Sequence, residues 1–230
     1  MRKTRIIATD IDMTLTDAKL RLDTAAIEKI RSLESKGTRV ILTSGRNLAV
    51  TGALAQFIGT CGLVVAENGG AIARYQTPIR ILGRTENARV ALDLLRKRMK
   101  AKIIERPDSR YGIRLSDVAV ERTFQPEKAN RILAESGLRI RLVDTGVTFL
   151  LLDADLDKGL ALKKLAKLRG FSLASLAAIG DNYNDLDLFR VAGYRIAVGN
   201  APEEVKAHAD YACKRKYGKG FLEAVAHLSL

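Results

Sequence analysis

The chain has 230 residues, 47% of them hydrophobic and 28% charged, a globular balance that excludes a disordered or low-complexity polypeptide and allows one large domain or two modest ones. No apolar run approaches the ~18 residues of a membrane span. No hydrophobic leader precedes the first apolar segment, and the two cysteines, Cys61 and Cys213, form no C-x-x-C pair, so a cytoplasmic protein without a membrane partner, disulfides or zinc is expected.

Short apolar strands alternate with amphipathic helices. A strand over 5–10 leads to a helix over 24–36, with Ala26, Ile27, Ile30 and Leu33 on one face, Asp23 as its N-cap and Gly37 as its stop. Strands follow over 40–43 and 63–66, with a helix over 48–57 between them. The stretch 83–153 has a different texture. It reads as a helix over 86–99, strand-like 102–106, a turn at Pro107-Asp108-Ser109, strand-like 113–115 and 118–120, a helix opened by Pro126, and strands over 139–143 and 147–152. The alternation then resumes: helix 158–168, strand 176–179, helix 185–191, strand 195–198, a helix opened by Pro202 and a last helix over 220–228. This pattern predicts an α/β, Rossmann-like doubly wound parallel sheet, built from 1–82 and 154–230, with a small α+β cap inserted at 83–153.

Ligands of such sheets bind beyond the carboxyl ends of the strands, and the chemistry-bearing residues cluster there. Asp10-Ile11-Asp12-Met13-Thr14 leaves the first strand. Carboxylates two apart in extended chain start on one side, and such a pair suits a hard divalent cation and phosphoryl chemistry, one carboxylate attacking or binding metal while the other moves a proton. The plainer alternative is a strand-end turn capped by Asp and Thr. Thr43-Ser44-Gly45-Arg46 ends the second strand, Asp157-Lys158-Gly159 opens a helix, and Gly180-Asp181-Asn182-Tyr183-Asn184-Asp185 follows a later strand. His208 and His227, the only histidines, lie in late helical patterns and are given no catalytic role.

These four segments, in this order, resemble the motifs of the haloacid dehalogenase superfamily of phosphotransferases, and the inserted cap resembles that of its Cof-like branch. The resemblance implies that Asp10 is the nucleophile that becomes an aspartyl-phosphate, and that Asp12 is the general acid/base. It also implies that Ser44, with Thr43 as rival, binds the transferring phosphoryl group and that Lys158 shields its charge. Asp10, Asp12, Asp181 and Asp185 would then make a metal site, its all-oxygen ligands suiting Mg2+. Met13 stands where the family usually has glycine. Thr14 is expected to fix the turn through its hydroxyl, with Asn68, Asn182, Asn184 and Asn200 as supporting groups.

Because the superfamily's dehalogenases lack the second Asp, Asp12 implies a phosphatase or mutase acting on a small phosphorylated metabolite. Chain length, the compact cap and Tyr217-Gly218-Lys219-Gly220 resemble the archaeal phosphoglycolate phosphatases, with sugar-phosphate and mannosyl-3-phosphoglycerate phosphatases as alternatives. A carboxylate on the substrate is best gripped by a guanidinium fork, and Arg106 and Arg110, flanking the cap turn, are the candidates; simple solvation is the competing reading. The +13 net charge motivates one reading of another class, a nucleic-acid-binding protein on a phosphatase fold. The basic residues are dispersed, however, and no aromatics interleave with the cluster Arg96 to Lys100, so no nucleic-acid partner is expected. A monomer or homodimer is expected.

Overall fold

The computed structural model describes residues 5–110 and 112–230. In chain order the elements are β1 (Ile6–Asp10), α1 (Thr24–Ser35), β2 (Arg39–Thr43), α2 (Leu48–Ile58), β3 (Leu63–Ala66), β4 (Ala71–Arg74), β5 (Thr77–Ile81), α3 (Thr85–Arg98), α4 (Pro107–Arg110), β6 (Asp117–Val120), α5 (Pro126–Glu135), β7 (Ile140–Asp144), β8 (Phe149–Asp153), α6 (Lys158–Arg169), β9 (Leu176–Gly180), α7 (Leu186–Phe189), β10 (Tyr194–Ala197), α8 (Glu203–Lys206), β11 (Tyr211–Ala212) and α9 (Tyr217–His227). Among the described residues no helix is long and apolar enough to cross a membrane.

Eight strands make the main sheet, in the order β11-β10-β9-β1-β2-β3-β4-β5. β1, β2, β3, β9, β10 and β11 run parallel. Side chains of β1 alternate between two cores: Ile7 joins the layer that includes Ile30, Leu48 and Phe221, while Ile6 and Ala8 join the layer that includes Leu162, Leu165 and Phe189. Burial on both faces explains why these strands read as continuous apolar runs. Strand order runs outward from β1 in both directions, so β1 and β9 flank the point where it reverses, the place where such sheets open a crevice for ligands.

One edge of the sheet departs from the parallel expectation. β4 and β5 form an antiparallel hairpin on β3, turning through Tyr75 at φ +52. Pro78 in β5 has no amide to donate, which suits an edge strand.

Between β5 and α6 lies the cap, a three-stranded antiparallel sheet ordered β6-β8-β7. Val118, Val120, Phe149 and Leu151 pack against the apolar faces of α3 and α5. The alternate positions Ala119, Leu150 and Leu152 form a second small cluster on the other face, as the period of two requires. Two strand readings are corrected here. Within 102–106 only Glu105 pairs, through an isolated bridge to Val120, and 113–115 forms no strand. The intended turn at Pro107 is the short helix α4, which a proline at the first helical position favours.

Candidate active site

Four buried groups meet at the ends of β1 and β9. Lys158 opens α6, with Asp157 as N-cap accepting from the Leu160 amide. Its ammonium donates to Asp10 Oδ1 at 2.6 Å and to Asp185 Oδ1 at 2.7 Å. Lysine at a helix N-terminus opposes the dipole; here two carboxylates offset that cost. The neighbouring Gly159 has a packing reason, because a Cβ there would lie 2.0 Å from the Asp187 carbonyl. It thus lets α6 and α7 touch, rather than opening amides to a ligand.

Asp185 is fixed by its own loop. Its Oδ2 accepts the amides of Asp181 and Asn182, at 3.0 and 3.2 Å, in a capping box. Asp181 Oδ1 accepts the Thr14 hydroxyl at 2.8 Å. Thr14 therefore positions a carboxylate and not its own turn, and Thr16 takes over that local task by accepting the Met13 amide. Asn200 donates to the Met13 carbonyl at 2.9 Å and accepts from the Tyr217 amide at 2.8 Å. Met13 itself has φ +62, the left-handed conformation that a glycine adopts without strain.

Carboxylate oxygens of Asp10, Asp181 and Asp185 lie within 4.8 Å of one another. Set against the single Lys158 ammonium, three ionised carboxylates would leave two negative charges unbalanced. Burial is the largest influence on Asp10 and pushes its carboxyl well above the usual range, against the pull of Lys158. Burial and then repulsion from Asp185 push Asp181 up to about 7. For Lys158, burial disfavours the charge, but Asp10 and Asp185 outweigh it and hold the ammonium above the ordinary lysine range. Hard oxygen donors with a two-charge deficit fit a divalent cation.

Asp12 stands apart from this cluster. Both of its oxygens are taken by Arg46, through Nε at 3.0 and 2.8 Å and Nη2 at 2.6 Å, so its side chain is not among the grouped carboxylates as expected. Ser44 is 1% exposed, and its hydroxyl accepts the Arg46 amide at 3.1 Å. Thr43 pairs in register with Asp10, and its buried hydroxyl has no partner among the described residues. Asn184 donates to Asn68 at 3.0 Å. The Asn68 amide nitrogen, buried and without a partner among the described residues, would lie 3.0 Å from a Cβ added at Gly45. Cys61 and Cys213 are free thiols that burial pushes up to about 11 and about 12, and they take no part.

Above the cluster is a cavity of about 430 Å³. Asp10, Asp12, Arg46, Asp181 and Asn184 line it from the core, and Arg106, Asp108, Arg114, Val147 and Thr148 from the cap. The two arginines proposed for a substrate carboxylate separate. Arg106 lines the cavity. Arg110 does not; its guanidinium donates to the Glu105 carbonyl at 3.1 Å.

The family model of haloacid dehalogenase-like hydrolases matches residues 7–135 and 144–225. The chain belongs to the haloacid dehalogenase-like hydrolases. Among relatives of this hydrolase, a phosphoglycolate phosphatase of Methanoculleus marisnigri is 36% identical over 96% of this chain and 95% of its own length. Another, of Archaeoglobus fulgidus, is 37% identical over 100% and 99%. A crystal structure of a Thermoplasma acidophilum protein superposes with a TM-score of 0.87 at 28% identity, covering 99% of both chains.

Three residues that shape the hydrolase's site carried no signal of their own in the sequence. Arg46 was visible only as the end of a strand-exit motif. Glu67 and Arg114 are buried charges whose contacts between core and cap span 48 and 69 residues, a separation that local patterns do not encode.

Proposed function

We propose that this hydrolase is a Mg2+-dependent phosphomonoesterase acting on 2-phosphoglycolate, which water converts to glycolate and phosphate. The observation that supports it most is a buried Asp10 held by Lys158, beside two further carboxylates, at the floor of a cavity whose cap wall presents Arg106. Asp10 attacks phosphorus to form an aspartyl-phosphate. Lys158 keeps the attacking oxygen in place and offsets charge that builds on the phosphoryl group. Asp10, Asp181 and Asp185 would hold Mg2+, which when bound supplies the missing positive charge to the phosphoryl oxygens. Asp12, taking up a proton from solvent once it leaves Arg46, gives it to the departing oxygen and then takes one from the water that attacks phosphorus and displaces Asp10. To do so it turns out of the Arg46 fork, and an arriving phosphate dianion, competing for the same guanidinium, favours that turn.

The substrate reading rests on the relatives' names and on Arg106. Arg106 is exposed and lines the cavity, so its guanidinium can reach a substrate carboxylate. Phosphate release should therefore be faster from phosphoglycolate than from sugar phosphates or mannosyl-3-phosphoglycerate. Arg106→Ala should raise KM for phosphoglycolate roughly tenfold, the loss of one charge-assisted pair, while Arg110→Ala should leave it nearly unchanged. A parent enzyme that prefers sugar phosphates overturns the substrate and leaves the chemistry of Asp10 standing.

A further inference from the structure

The cap is tied to the core by the backbone at each end of the insertion, and a third attachment crosses between them away from both linkers. Its centre is Arg114, on the segment between α4 and β6 and 5% exposed. Arg114 Nη2 donates to the Gly45 carbonyl of the core at 2.8 Å and to Asp117 Oδ2 at 2.8 Å. Its Nε donates to the other Asp117 oxygen and its Nη1 to Asp108 at 3.1 Å. Asp108 also accepts from Asn47 of the core, at 3.4 Å.

Glu67, fully buried at the end of β3, grips the same cap segment from the other side. Its carboxylate accepts the amides of Leu115 and Ser116 at 3.0 and 2.9 Å, the Ser116 hydroxyl at 2.6 Å, and the Leu48 amide at the start of α2 at 3.2 Å. Glu67 and Asn68 hold this arrangement at φ +54 and +49, a conformation that costs non-glycine residues on the order of 1 kcal/mol or more. Gly70 completes the seat, since a Cβ there would sit 1.8 Å from the Ser116 hydroxyl oxygen.

Burying this many charges is an expensive way to hold a loop, because apolar residues of the same volume would stabilise it at least as well. What an ion-paired fork adds is a defined geometry. With four N–H bonds already made, Arg114 has little left to offer a ligand, although it lines the cavity. Burial pushes Asp117 up to about 6 against the pull of Arg114, so the pair is ionised at neutral pH. The core atom it grips, the Gly45 carbonyl, adjoins Ser44 and Arg46 at the phosphate end.

We infer that Arg114 and Glu67 seat the cap at a fixed height over the strand ends, and that Arg114 is a positioning residue. It sets the span between Arg106 and Asp10, and so selects substrates whose second anionic group lies at a short, defined distance from the phosphate. This inference rests on the phosphomonoesterase reading of the Asp10 site.

The test uses two changes that leave no orphaned buried charge at full strength: the paired Arg114→Leu/Asp117→Leu variant, and Glu67→Gln. Steady-state kinetics are measured with phosphoglycolate and with a generic aryl phosphate, which needs only the phosphate end. Hydrogen exchange is followed at the amides of Leu115 and Ser116. The expected result is a KM for phosphoglycolate raised about tenfold, with the aryl phosphate changed less than about threefold. Faster exchange at Leu115 and Ser116, with β1 and β2 still protected, should accompany it. Arg114→Lys should fail to rescue, because an ammonium with three donors cannot pair with both Asp117 oxygens while also reaching Gly45 and Asp108, as the planar fork does. Equal losses on both substrates, or freed amides with no change in KM, overturn the positioning role. Should the paired variant not fold, Glu67→Gln and Asp108→Asn carry the same comparison. If the parent ignores phosphoglycolate, the substrate reading has failed on the parent's own rates, and the comparison is repeated with its best doubly anionic substrate.

Discussion

Three buried carboxylates share one ammonium at the end of β1, and that imbalance governs how the site should respond to protons and metal. Asp181, at about 7, and Asp10, well above the usual range, hold protons more tightly in the folded chain than in the unfolded one. Their contribution to stability is therefore full below the unfolded carboxylate value of ~4 and is lost as pH rises toward neutrality in the metal-free protein. A cation held by these oxygens would bind the deprotonated set and so compete with those protons. Mg2+ should accordingly bind more weakly at about pH 5.5 than at about pH 8, and saturating Mg2+ should raise Tm more at the higher pH. Calorimetric titration and thermal unfolding at both pH values check this; equal affinities and equal Tm increments would contradict it. At this scale Asp10, Lys158, Asp181 and Asp185 were readable because each stands at a strand exit or helix start. The partners of Asp12 and Thr14 were not, because Arg46 lies 34 residues and Asp181 167 residues away.

Helix α6 delivers Lys158 only because it approaches α7 at Gly159. Adding a methyl group there meets the Asp187 carbonyl, a backbone atom that cannot rotate away. Gly159→Ala should therefore push α6 outward, costing roughly 1–3 kcal/mol as overpacking does. It should also loosen the Lys158 contacts with Asp10 and Asp185, lowering kcat more than Tm alone suggests. Thermal unfolding with kinetics on the same preparation tests it; an unchanged Tm would show that the helices have room. The glycine was visible beforehand, but its reason was not, since helix propensity speaks of cost and not of the neighbour that requires it. The same gap explains the elements that were misread. Apolar periodicity gave the central strands their places, whereas Arg114 and Leu115, strand-like in composition, are drawn instead into the seat formed by Gly45 and Glu67.

For the whole molecule, the alternation of strands and helices was enough to anticipate a parallel core with an inserted cap, because each βαβ unit is a local pattern. The β4–β5 hairpin escaped it, being short and having an exposed outer strand. The cap's height over the core escaped it too, since that depends on contacts between segments about 50–70 residues apart. The proposed covalent step at Asp10 would unite cap, cavity and carboxylate cluster, and it can be tested directly. The enzyme is mixed with phosphoglycolate and Mg2+, quenched in acid during turnover, and assayed for protein-bound phosphate that is stable to acid and released by base. The account predicts such a phosphoenzyme in the parent, with phosphate turnover, and neither in Asp10→Asn, whose amide is no nucleophile. Turnover by Asp10→Asn at near-parental rate, with or without bound phosphate, would contradict it.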